Sequence, residues 1–191
     1  MAQINSSPLT EIFTLESMED WRSVSIKYAS LYAKIKTNEI AIHYAFFCWY
    51  LLWQWDEICF PGEESLPVYE RSNAEIRNGI SKTELFSHLD EVTKHLLTAW
   101  ECLPQTYFVV LLLMHKIYPY FFKKETFSRE LEQQMLDFAE KMSFDDVGAR
   151  IIYHYIRTKD STQITPYEKM AVNHIFPQNS LIQSYFTWLF E

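Results

Sequence analysis

The chain has 191 residues, 48% of them hydrophobic and 17% aromatic, with 25 acidic against 17 basic side chains and a formal charge of −8. That size suits one domain with one core, and so many Trp, Tyr and Phe side chains exclude long disordered stretches. Its three glycines, Gly62, Gly79 and Gly148, are too dispersed for a phosphate-cradling loop or a dinucleotide fingerprint, and the negative charge argues against nucleic acid as a direct partner.

The first dozen residues read as irregular. Ser17 then caps a helix to about Lys36, with Glu19 and Asp20 in its first turn and a stripe of Trp21, Val24, Tyr28, Leu31, Tyr32 and Ile35. A short turn at Thr37 and Asn38 makes it an antiparallel hairpin with the next helix, over 39–60, EIAIHYAFFCWYLLWQWDEICF. This second helix is apolar on nearly every side and belongs in the middle of the fold. At about 100° per residue its polar side chains, Glu39, His43, Tyr50, Gln54 and Glu57, gather into one narrow seam. The seam is either a set of polar groups satisfied by neighbouring helices or the lining of a pocket. In the second case His43 sits between carboxylates, where a perturbed pKa would mark function.

Residues 61–80, PGEESLPVYERSNAEIRNGI, form a charged loop without an apolar period, a length that is usually functional or mobile. Asn73 suits the cap of one short turn ending at Gly79. Glu63, Glu64, Glu70 and Glu75 are the candidate partner-binding residues of this loop. Ser81 and Glu84 then form a capping box before a helix that turns Leu85, Leu89, Val92, Leu96 and Trp100 to the core. Glu84, His88, Glu91 and His95 share one face of that helix, and bundles do build metal sites from such residues. Their spacing departs from Glu-x-x-His and they flank the apolar face, so they read as Glu–His pairs on a wet surface, with no metal and no cofactor.

Pro104 opens a second all-apolar helix that Pro119 ends near Tyr118. Residues 126–142 follow as an amphipathic helix with Phe127, Leu131, Met135, Phe138 and Met142 inward. Ser143 with Asp145 and Asp146 starts another, to about Thr158, in which Gly148 implies close helix contact. Arg150, His154, Arg157 and Lys159 near its end answer the helix dipole. Thr165, Pro166 and Glu168 open a short helix to about Phe176, and 177–180 turn into the aromatic closing helix LIQSYFTWLF.

The expectation is an all-α fold, an irregular bundle of seven to nine helices around two buried apolar helices near 39–60 and 105–118, forming one domain over 1–191. Both apolar runs are too short to span a bilayer, so no membrane partner is expected. Cys48, Cys59 and Cys102 are odd in number, and the first two are too far apart on one helix for a disulfide. They read as buried thiols, and with no secretory leader at the N-terminus they imply a cytoplasmic protein.

No nucleophile elbow or Cys–His signature occurs, and Asp145 and Asp146 suit helix capping better than acid–base work, so no catalytic residue is assigned. Two functions follow. The first is a non-enzymatic cytoplasmic binding protein that neutralises or regulates a cationic protein partner, a class exemplified by immunity proteins that block nuclease toxins. The alternative is a helical enzyme or sensor with a buried polar pocket at the seam, with or without a metal. A third reading is a subunit whose aromatic C-terminal helix docks on a larger assembly.

Overall fold

The computed structural model describes residues 7–63, 65–67, 71, 79–142 and 146–191. Among them the chain forms ten α-helices and no strand.

Helix α1 (Pro8–Ser17) replaces the irregular start. Ser7 accepts the Leu9 N–H, and Pro8 occupies the first helical position, where a missing N–H costs nothing. Ser17 is therefore the last residue of α1, and the cap of α2 (Trp21–Lys34) is Asp20, which accepts the Ser23 N–H at 3.2 Å. In the short turn that follows, Thr37 caps α3 (Asn38–Trp53) by accepting the Ile40 N–H.

The expected helix over 39–60 breaks at Gln54, and a separate short α4 (Trp55–Cys59) follows. A helix buried all round cannot accommodate Asp56 and Glu57. The break lets those carboxylates reach solvent while Trp55 and Cys59 stay inside. These two additions, α1 and α4, raise the helix count above the expected range.

Ser81 caps α5 (Lys82–Thr98), which buries Leu85, Leu89, Val92 and Leu96; Trp100 lies just beyond, in a 3-10 turn. Then come α6 (Gln105–Ile117), ended by Pro119 as expected, and α7 (Arg129–Lys141), capped by Ser128. Helix α8 (Val147–Thr158) starts from Asp146, whose carboxylate accepts the Ala149 N–H and the Thr106 hydroxyl; Ser143 and Asp145 lie outside the described residues. The capping box of α9 (Pro166–Ile175) is complete, with Thr165 and Glu168 each accepting the other's backbone N–H. A β-carbon on Gly148 would collide with the Ile175 side chain, which is the close contact the glycine implied. Ser180, fully buried, caps α10 (Leu181–Phe190).

Helices α3 and α6 are the inner layer, with twelve of 16 and nine of 13 residues buried. Packed on α3 are α2, α5, α6 and α10, while α6 also takes α7 and α8. α1 touches both α2 and α10, joining the two ends of the chain. Cys48 and Cys59 are buried and Cys102 is exposed, all as free thiols. No helix among the described residues is long and apolar enough to cross a membrane.

Candidate functional site

The five seam residues of the 39–60 stretch do not share one environment. Glu39 is exposed in the first turn of α3. His43, 2% exposed, is closed over by Phe13 of α1 at 4.9 Å between ring centroids and by the edge of Tyr107 of α6. Its Nε2 lies 3.4 Å from the Tyr107 hydroxyl, and burial drops its pKa to about 3, so the ring stays neutral. None of these neighbours is a carboxylate.

Tyr50, Gln54 and Glu57 do come together. With Trp53 they line one side of a cleft of about 480 Å³ whose other side is α10. Leu181, Ser184, Tyr185 and Trp188 face it from there, spaced i, i+3, i+4 and i+7 on one side of that helix. Ile182, Phe186 and Phe190, on another face, are buried in the core. The wall consists of interlocked rings: Trp53 meets Tyr50 edge-on at 5.8 Å, Tyr185 edge-on at 5.6 Å and Trp188 at 5.8 Å. Trp188 is 59% exposed, so the cleft opens to water past an indole.

Among the described residues, Glu57 is the only formally charged side chain lining the cleft. Burial raises the Tyr50 hydroxyl above its ordinary pKa, and the charges of Glu19 and Glu57 raise it further. Among the described residues of this lining, no histidine or lysine stands beside Ser184 to act as its base. What the arrangement offers is π faces next to a carboxylate, a setting that attracts a cation.

A buried carboxylate anchors the α10 side of this cleft, and it is absent from the sequence-based candidates. Glu16, 4% exposed, accepts the Tyr28 hydroxyl and the Leu181 N–H, both at 2.8 Å. Leu181 is the first residue of α10, where a negative group also meets the helix dipole. Burial nonetheless pushes the Glu16 pKa up to about 7, against the opposing pull of the two hydrogen bonds. The available signal was its position: Leu9, Ile12, Phe13 and Glu16 recur at helical spacing on the buried face of α1.

The stripe on α5 forms no Glu–His pairs. His88 Nδ1 lies 2.6 Å from the Tyr44 hydroxyl and His95 Nδ1 2.9 Å from that of Tyr32, while Glu91 pairs with Lys36. Both rings turn inward because each gains a buried phenol as partner, leaving Glu84 exposed. No group of three His, Cys, Asp or Glu side chains that could hold a metal ion occurs among the described residues. Of the loop glutamates, Glu64, Glu70 and Glu75 lie outside the described residues; Glu63 is half-buried and donates its N–H to the Phe60 carbonyl.

Comparison of the chain with protein-family models, with curated proteins and with solved structures gives no match.

Proposed function

We propose that the chain is a binding protein that neutralises or regulates a basic protein partner, and that the cleft between α3, α4 and α10 receives a cationic side chain of that partner. The observation that carries this reading is the composition of the wall, four aromatic rings with Glu57 as the one formal charge among the described residues. Trp and Tyr are the side chains that dominate protein interfaces, and a cation over their faces gains about 0.5–2 kcal/mol. The net charge of −8 adds long-range attraction that speeds encounter with a basic surface.

Trp188 also bears on which kind of ligand fits. A site for a free small molecule encloses most of its ligand, whereas an exposed indole at the mouth suits a side chain delivered by a larger surface. Recognition accordingly moves from the glutamates of the 61–80 loop to the cleft. A basic residue held there is withdrawn from the partner's own use of it, which is how such binding would neutralise. The likeness to immunity proteins is one of class only.

Titration of the tryptophan fluorescence with N-acetyl-arginine amide and with its neutral isostere N-acetyl-citrulline amide tests the reading. The arginine compound should bind about fivefold tighter, a difference of roughly 1 kcal/mol. That preference should shrink with added salt and in Glu57→Gln. Equal affinity for the two compounds, or a preference indifferent to Glu57, would overturn it.

A further inference from the structure

We propose that the segment recognised in the cleft carries an acidic group close to its cation, and that Lys159, with Lys116 beside it, holds that anion on the far side of the same aromatic wall. The inference rests on the cationic reading above and extends it to the partner's chemistry. Trp53, Tyr185 and Trp188 line a second cleft, of about 320 Å³, on which Tyr118 and Tyr155 also border. Here the charged lining groups are lysines, Lys116 from the last turn of α6 and Lys159 at the end of α8. One ridge of rings, 5.6 to 5.8 Å between centroids, thus has a carboxylate on one side and two ammonium groups on the other.

The two lysines are not equally free. Lys116 is bound to Glu132 at 2.6 Å, and Glu132 also takes His115. Lys159 has no carboxylate within salt-bridge reach among the described residues, and its ammonium lies 5.9 Å from the centroid of the Tyr155 ring. Partial burial and the charge of Lys116 hold its pKa below that of an ordinary lysine. Its backbone is left-handed, φ 56°, at a helix end where glycine is the usual occupant. An ammonium with no carboxylate partner among the described residues, kept at a left-handed position in a chain of net charge −8, is a place an anion would fill.

Crossing one ring with contact on both faces and a charged head beyond each takes about 10 Å, roughly three extended residues. The occupant is then an extended peptide in which Arg or Lys precedes or follows Asp or Glu by about that spacing. A plainer role for both lysines, compensation of the helix dipoles of α6 and α8, predicts an effect on stability and none on ligand choice.

Calorimetric titration of the intact protein separates these readings, using capped peptides Arg-Gly-Gly-Asp, Arg-Gly-Gly-Asn and citrulline-Gly-Gly-Asp, in both residue orders. The doubly charged peptide should bind about fivefold tighter than Arg-Gly-Gly-Asn. Lys159→Asn, which removes the amine while tolerating the left-handed backbone, should abolish that increment and keep the preference for arginine over citrulline. Glu57→Gln should do the reverse. In Lys159→Glu, Arg-Gly-Gly-Lys should overtake Arg-Gly-Gly-Asp. Arginine preference without any acidic increment overturns this inference and leaves the cationic cleft standing; no preference for arginine at all overturns both. A lowered melting temperature in Lys159→Asn with the increment intact assigns the lysine to the helix dipole, again against the inference.

Discussion

His43 within α3 and Gln54 at its C-cap lie about three turns apart on the same polar line, and they differ in what other helices bring against them. Phe13 and Tyr107 close over His43 from α1 and α6. Gln54 faces α10 across a gap, with Tyr185 and Trp188 on its far side. A polar stripe on a helix therefore nominates a site without choosing it, because the choice belongs to the neighbours. The pKa shifts teach the same thing. His43 is the more strongly displaced group, yet burial alone displaces it, whereas Tyr50 at the open end also senses Glu19 and Glu57.

If that contrast is right, His43→Ala should cost about 2–4 kcal/mol of stability in urea titration, the usual effect of emptying a core position. Affinity for N-acetyl-arginine amide should stay within twofold, roughly 0.4 kcal/mol. Loss of binding at unchanged stability would make the sealed end the site.

The next effect concerns the anchor of the open end. Glu16 titrates near 7 in the folded chain against an ordinary value of 4.5, so the folded state holds the proton more tightly. Its contribution is complete below pH 4.5 and is lost as pH rises through about 7, a total of about 3 kcal/mol. His43 acts in the opposite sense: its folded value near 3 against 6.5 withdraws stability as pH falls below 6.5. Denaturation of Glu16→Gln and wild type from pH 4 to 8 should therefore diverge, the mutant gaining on wild type as pH rises. Parallel curves would show that the carboxyl is not held neutral by burial.

At the open end the pattern inverts. Glu57→Lys should leave stability within about 0.5 kcal/mol, since the side chain is exposed, and should weaken binding of the arginine compound about tenfold, near 1.4 kcal/mol. Fluorescence titration together with a urea midpoint checks both halves of the expectation.

Much of this architecture could be read in the chain. Apolar residues all round α3 and α6 identified the inner layer, Ser81 and Thr165 marked helix starts that the fold uses, and the turns at 37–38 and 177–180 fall at two more. Gly148 announced a close contact, although only the fold supplies Ile175 as its partner. The break at Gln54 was less visible, because a helical wheel extends a helix past any residue with acceptable propensity, whereas the break is set by the need of Asp56 and Glu57 for water. Half of the cleft was legible as Tyr50, Gln54 and Glu57. Its other half lies more than a hundred residues further on, and no local pattern says that α10 lands opposite α3. For the same reason the stripe on α5 misled: Tyr32 and Tyr44, which claim its histidines, come from α2 and α3.

The smallest expected effect is the one that tells aromatic recognition from charge alone. Trp188 is 59% exposed and rests on Trp53 and Tyr185, each at 5.8 Å between ring centroids, so its truncation leaves little cavity. Trp188→Ala should cost under about 1 kcal/mol in folding and weaken the arginine compound two- to fivefold, the range for a cation over an exposed ring. Trp188→Phe keeps a π face of smaller area and should fall between the two. Because the ring also borders the lysine cleft, the alanine variant should lower affinity for the doubly charged peptide more than for Arg-Gly-Gly-Asn. If alanine and phenylalanine behave alike at wild-type affinity while Glu57→Lys still weakens binding, the rings serve packing only. The open end of α3 would then differ from the sealed end by charge rather than by its aromatic wall.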